Sequence, residues 1–228
     1  MGATTRTSDF QEEASSETPV KAVIFDCDGT LVDSEPIGLA ALLDEAAAHG
    51  LAMDAAEGEA LFKGIKMAEC VQEIEARIGT SVPEDFVPRV RVRMAQYFRE
   101  RLQVIPGADH VMENLSLPYC IASNGPREKI QLTLEVCGLL PGFKGPIFSA
   151  YDIDSWKPAP ELFLYAAKSM GFAAEECAVV EDSVPGMEAG LAAGMRVFAL
   201  CSEDDIPVHL RPRVVPIGSL RELLDRLP

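Results

Sequence analysis

Residues 22–25 read Ala-Val-Ile-Phe, and the run stops abruptly on Asp26-Cys27-Asp28-Gly29. Four apolar residues bounded this tightly fit a strand covered on both faces, the environment of a parallel sheet sandwiched between helices. Such a strand needs parallel partners, and each partner needs a long crossover, usually helical. The chain supplies them. Beyond Ile105 strand and helix patterns alternate: helix 107–115, strand 119–123, helix 126–137, strand 146–149, helix 159–170, strand 177–181, helix 185–193 and strand 196–200. This predicts an α/β fold with a doubly wound, Rossmann-like parallel sheet. Between the first strand and Ile105 no strand pattern occurs. Helical periodicity runs instead through residues 37–49, 54–63, 66–78 and 84–103, with Pro88 marking a break or a late start in the last. The expected organisation is a core of 19–34 and 105–228, an inserted all-helical cap at 35–104, and a disordered tail at 1–18.

Two carboxylates as close as Asp26 and Asp28 repel one another unless a cation or a shared proton compensates. In an open parallel sheet, ligands bind beyond the carboxyl ends of the strands, so residues just after each strand share one site. That rule collects Asp26 and Asp28 after the first strand, Ser123 and Asn124 after the second, Lys157 after the third, and Glu181 and Asp182 after the fourth. Carboxylates from two distant strands, a hydroxyl and a lysine are what a hard divalent cation and a phosphoryl group together require.

Taken singly these residues are ordinary. Ser123 begins a Ser-Asn-Gly turn, and an isolated lysine such as Lys157 is usually a solvated surface group. Their common place behind buried strands is what joins them. A calcium loop is excluded by spacing, because counting from Asp26 puts Ile37 where an EF-hand needs its glutamate. Cys27 lies between two carboxylates, where a thiolate is disfavoured, and reads as a core-facing spacer. His49, His110 and His209 show no metal or triad spacing.

Composition narrows the partners. Acidic residues outnumber basic ones 36 to 20, giving a net charge of −16. No cluster of Lys and Arg is dense enough to follow a phosphate backbone, so nucleic acid is not expected. No apolar run reaches the ~18 residues of a membrane span, and the N-terminal stretch lacks a secretion-signal pattern. Six scattered cysteines without a C-x-x-C pair point to a reduced, cytoplasmic protein.

The segments DCDGTLVDSE (26–35), IASNG (121–125), WKPAPELF (156–163) and VVEDSVPGMEAGLAAGM (179–195) resemble, in order, the four motifs of the haloacid dehalogenase-like (HAD) phosphohydrolases. The resemblance covers nearly the whole chain, and the helical insertion is similar to the cap of the β-phosphoglucomutase-like branch. It implies that Asp26 is a nucleophile forming an aspartyl-phosphate and that Asp28 is the general acid and base. It further implies that Ser123 and Lys157 bind the phosphoryl oxygens and that Mg²⁺ is held by Asp26, Asp182 and the backbone carbonyl of Asp28. Glu181 is a direct ligand or a water-mediated one. The residues agree with these roles on physical grounds: a carboxylate nucleophile divides a hard transfer into two steps. A second acid crowded by carboxylates is expected to have a raised pKa. Gly29 permits a tight turn that brings backbone N–H groups to the phosphate, and Asn124 is expected at the substrate.

The acid at Asp28 favours phosphate-ester chemistry over dehalogenation. Mutases of this branch carry a histidine early in the cap and an arginine in a cap loop, and those positions here are Gly38 and Met67. A phosphatase acting on a small phosphorylated metabolite is therefore expected before a phosphohexomutase. A receiver-type phospho-aspartate module is disfavoured by length and by the inserted helices. Within the branch, FKGIK (62–66), ASNGP (122–126) and YDIDSWKP (151–158) resemble 6-phosphogluconate phosphatases. Lys63, Gly64 and Lys66 are the candidate cap residues for reading an anionic substrate tail.

Overall fold

A computed structural model describes residues 18–62 and 65–227. The expected tail, apart from Thr18, and the cap-loop residues Lys63 and Gly64 lie outside the described residues. Among the described residues, six strands form one sheet: β1 (Ala22–Phe25), β2 (Tyr119–Ser123), β3 (Ile147–Ser149), β4 (Cys177–Glu181), β5 (Arg196–Leu200) and β6 (Val215–Ile217). Their order is β3-β2-β1-β4-β5-β6 and every pairing is parallel. All four residues of β1 are fully buried, as an uninterrupted apolar run in the middle of a parallel sheet must be.

Helices cover both faces. On one side α5 (Ala108–Asn114), α6 (Arg127–Val136) and α9 (Arg221–Arg226) bring Val111, Ile130, Leu134 and Leu223 against Phe25, Ile121 and Phe198. On the other, α7 (Glu161–Met170) and α8 (Val184–Ala192) bring Leu162, Phe163, Met187 and Ala189 against Ile24, Val179 and Val197. Each fully buried Phe, Leu or Ile contributes about 1.5–3 kcal/mol by leaving water.

Between β1 and β2 the chain forms α1 (Glu35–Ala47), α2 (Ala55–Phe62), α3 (Met67–Ile78) and α4 (Phe86–Arg101). These helices enclose a separate apolar cluster that includes Leu42, Phe62, Ile74, Phe86 and Val90. Pro88 falls in the first turn of α4, where a missing N–H breaks no intrahelical bond, so the helix starts late instead of breaking. Glu45 of α1 is buried and accepts hydrogen bonds from Arg89 Nε (2.8 Å) and Arg93 Nη2 (2.8 Å) of α4, which fixes the two helices side by side. The two connections to the sheet run together: Val32 pairs antiparallel with Val104, Asp33 N–H donates to Gln103 O (2.9 Å), and Ile105 N–H donates to Leu31 O (2.9 Å).

β6 and α9 were not expected from sequence. β6 is three residues long with Pro216 at its centre, which an edge strand tolerates because one of its sides needs no partner.

Candidate active site

Strand order switches direction between β1 and β4, the two central strands, and crevices at such switch points take ligands. Parallel register sets Phe25 opposite Val180, and Asp26 N–H donates to Val180 O (3.0 Å), so Asp26 stands beside Glu181. Lys157 reaches in from the loop after β3. Its Nζ lies 2.5 Å from Asp26 Oδ1 and 2.6 Å from Glu181 Oε1, and the residue is only 5% exposed. Burial by itself would lower the lysine pKa, but the two carboxylates hold it well above its ordinary value.

Asn124 fixes the backbone of that lysine. Its Oδ1 accepts from Lys157 N–H (2.9 Å) and its Nδ2 donates to Lys157 O (3.4 Å). The amide expected at the substrate is thus engaged with the loop that carries Lys157. Ser123 is buried, and its Oγ accepts from Gly125 N–H (3.0 Å).

Glu181 is fully buried. Its Oε2 accepts from Asp182 N–H (3.1 Å), Ser183 N–H (3.0 Å) and Ser183 Oγ (2.8 Å), while Oε1 holds Lys157. Gly186, in the first turn of α8, makes room for it: a Cβ there would lie 1.8 Å from Glu181 Oε1. Gly29 does the same for Asp182. Its φ is +79°, and a Cβ would lie 2.1 Å from Asp182 Oδ2. The N–H of Gly29 donates to Val32 O (2.8 Å), so glycine is required here by the tight turn that the sequence suggested and by the close approach of Asp182.

Asp182 Oδ1 accepts from Thr30 Oγ1 (2.8 Å). Burial and the neighbouring Glu181 push its carboxyl up to about 7 against that hydrogen bond. Asp26 is pushed well above its usual range, chiefly by burial and then by Glu181, Asp182 and Asp28, with Lys157 opposing. Asp28 goes the other way. Burial would raise it, but the Lys129 ammonium 2.8 Å from Oδ1 and a hydrogen bond from Ser34 Oγ hold it below the ordinary value. The raised Asp28 expected from crowding is therefore corrected: sequence reasoning missed Lys129, which α6 brings to it. Thr30, Ser34 and Gly186 were also missed, although the first two lie inside the DCDGTLVDSE motif and the third inside VVEDSVPGMEAGLAAGM.

Among the described residues, four carboxylates (Asp26, Asp28, Glu181, Asp182) thus face two ammonium groups (Lys129, Lys157), and Glu35 adds negative charge near Asp182, so the cluster lacks at least the two charges of a divalent cation. Ligand atoms of Asp26, Glu181 and Asp182 all lie within 4.8 Å of one another, and an oxygen-only donor set suits Mg²⁺. The residues fit the ion. Cys27 is fully buried, its thiol pushed up by burial and then by Asp28 and Asp26, with Thr133 Oγ1 at 3.7 Å. His49 and His209 pair with Glu45 and Glu188, and His110 with Asn114, each away from this cluster. Lys66, exposed at the start of α3, holds its Nζ 5.4 Å from the Trp156 ring centroid, beside Lys157 in sequence.

Residues 20–194 match the family model described as haloacid dehalogenase-like hydrolase. The chain belongs to this family. The hydrolase is 36% identical over 205 residues to 6-phosphogluconate phosphatase of Escherichia coli (strain K12), covering 90% of this chain and 93% of that one. Hexitol phosphatase A of the same organism is 30% identical over 193 residues, 82% of this chain and 86% of the other. The solved structure of a HAD family hydrolase from Deinococcus radiodurans with bound phosphate and sodium matches with a TM-score of 0.72 at 29% identity, covering 91% of this chain and 94% of that one. This HAD hydrolase is a phosphatase. Among the described residues no helix is long and apolar enough to cross a membrane.

Proposed function

We propose that this hydrolase is a Mg²⁺-dependent phosphomonoesterase that works through an aspartyl-phosphate on Asp26, with 6-phosphogluconate as its leading substrate. The observation that carries the reading is Asp26 gripped by Lys157 at 2.5 Å and flanked by Asp182 in a cluster that lacks two positive charges. Asp26 attacks phosphorus as the ester P–O bond breaks, and Asp28 gives its proton to the departing alkoxide. Asp28 then takes a proton from the water that attacks the acyl phosphate, which frees phosphate and restores Asp26. Lys129 favours the ionised Asp28 that this second step needs, while an arriving phosphate dianion adds like charge and favours the protonated form needed for the first.

Asp26, Asp182 and the carbonyl of Asp28 hold the Mg²⁺ in this scheme, and Glu181 serves chiefly as the anchor of Lys157. When bound, the ion compensates the carboxylates and draws charge from the phosphoryl oxygens. Ser123 and Lys157 donate to those oxygens. Segments 19–34 and 105–228 form the catalytic body and 35–104 the cap, which reads the remainder of the substrate. In so acidic a protein a substrate carboxylate needs a local cation, and the segment 62–66 offers one in Lys63 or Lys66, on either side of Gly64. The identity to 6-phosphogluconate phosphatase supports a sugar-acid phosphate, and the six cysteines, free in the described structure, fit a reduced, cytoplasmic setting.

The test is phosphate release across sugar phosphates, sugar-acid phosphates and nucleotides. The highest kcat/KM is expected for 6-phosphogluconate. A nucleotide or an uncharged sugar phosphate at the top of the ranking would refute the substrate assignment, and conversion of a hexose 1-phosphate without free phosphate would refute hydrolysis.

A further inference from the structure

Lys66 stands at the capping position of α3 with extended backbone (φ −72°, ψ 146°) and makes no side-chain capping bond. Nothing local favours a lysine there. Helix starts prefer Ser, Thr, Asp or Asn, and a cation at this end faces the positive pole of the helix dipole. A residue that breaks a local rule is expected to find its compensation elsewhere. Here the compensation is Trp156, whose ring centroid lies 5.4 Å from Lys66 Nζ, within cation–π range.

Trp156 is well braced. It is half-buried against the apolar cluster under β4 and α7, and Tyr151 meets it edge-on with centroids 5.4 Å apart and planes at 81°. The next residue is Lys157, its backbone clasped by Asn124 and its ammonium set between Asp26 and Glu181. The loop is tied to the turn after β2 at two further points: Ser149 Oγ donates to Gly125 O (2.7 Å), and Arg127 Nη2 donates to Asp152 Oδ2 (2.6 Å). The insertion thus meets the loop after β3 at a packed ring one residue from Lys157.

We propose that Trp156 is a positioning residue: the Lys66–Trp156 contact latches the start of α3 to the rim of the phosphoryl site and steadies the loop bearing Lys157. This rests on the phosphatase reading of the site but not on the identity of the substrate. A latch acts on every substrate, whereas a charge reader acts only on an anionic tail.

The experiment measures kcat/KM on p-nitrophenyl phosphate and on 6-phosphogluconate, together with the emission spectrum of Trp156, the one tryptophan in the chain. Lys66→Met and Trp156→Leu should each lower kcat/KM by ~2–5-fold on both substrates, and the double variant should be no worse than the stronger single one. Lys66→Arg and Trp156→Phe, which keep a cation and a ring, should restore most of the loss. Emission should shift in Lys66→Met and stay near wild type in Lys66→Arg. A loss confined to 6-phosphogluconate, additive losses in the double variant, or unchanged emission in Lys66→Met would overturn the latch. Should wild-type enzyme fail to hydrolyse 6-phosphogluconate, the substrate assignment falls, while the aryl phosphate still decides the latch.

Discussion

Helix propensity and site geometry give opposite signs for Gly186→Ala. In an open helix the change stabilises by ~1 kcal/mol, because alanine is the better helix former and glycine loses more backbone entropy on folding. At this position the new methyl would sit 1.8 Å from Glu181 Oε1 and 2.4 Å from Oε2, so the carboxylate must retreat by about 1.6 Å to reach ordinary contact at 3.4 Å. Glu181 is fully buried and holds four donors, among them the Lys157 ammonium at 2.6 Å. Hydrogen bonds to a charged group are worth roughly 1.5–3 kcal/mol each. Losing two and regaining the helix term leaves a net destabilisation of about 2–5 kcal/mol. Lys157 loses an anchor at the same time, and a displacement of ~1 Å in a reacting geometry costs about 10²-fold in rate. Urea unfolding followed by Trp156 fluorescence gives the first quantity, and kcat on an aryl phosphate gives the second. A Gly186→Ala protein that is more stable than wild type with unchanged kcat would show that the glycine does not protect Glu181.

Asp26→Asn preserves shape but removes the nucleophile, so kcat should fall by at least ~10³-fold with folding little changed; retention of a tenth of the activity would rule out the covalent route. Chelation should abolish phosphate release and Mg²⁺ should restore it, while Ca²⁺, which favours more ligands, should bind without supporting turnover; activity in rigorously metal-free enzyme would contradict the role given to Asp182. Lys63→Met should weaken kcat/KM for 6-phosphogluconate by ~10–100-fold and leave aryl phosphate hydrolysis nearly unchanged; equal losses on both would remove Lys63 from substrate recognition. Burial would raise the Glu45 carboxyl, but hydrogen bonds from Arg93 and Arg89 hold it below its ordinary value of 4.5. Its stabilisation is therefore complete above that value and is lost as pH falls through the lower folded-state pKa. The stability gap between wild type and Glu45→Gln, measured by urea unfolding, should be full at pH 7 and close under acid; a gap that widens on acidification would contradict the sign.

The parts that could be read from sequence are those where a short segment decides its own environment. β2, β4 and β5 fall where their apolar runs put them, and β1 follows from a run that no solvent-facing strand could tolerate. The acids after β1 and β4 converge because a parallel sheet places all carboxyl ends on one edge. What escaped depends on distances between remote segments. Lys129 lies in α6 about a hundred residues from Asp28, and only packing shows that its ammonium reverses the pKa expected for that acid. Gly29 and Gly186 signal turn or helix in sequence, whereas the structure shows two carboxylates filling the space where their side chains would be. β6 was hidden by Pro216 and by a length too short to produce a pattern.

The paired crossing at Val32 and Val104 has a consequence for how such an enzyme changes its diet. The two ends of the inserted helices meet side by side, held by their own hydrogen bonds, so the sheet experiences the whole excursion as a loop already closed. Lengthening a closed loop is thermodynamically mild, about 0.6 kcal/mol for each doubling. The helices beyond the crossing can be extended or trimmed away from their contacts with the sheet body while Asp26 and Asp182 keep their places, and a lineage can acquire a new metabolite without relearning how to cleave its phosphate.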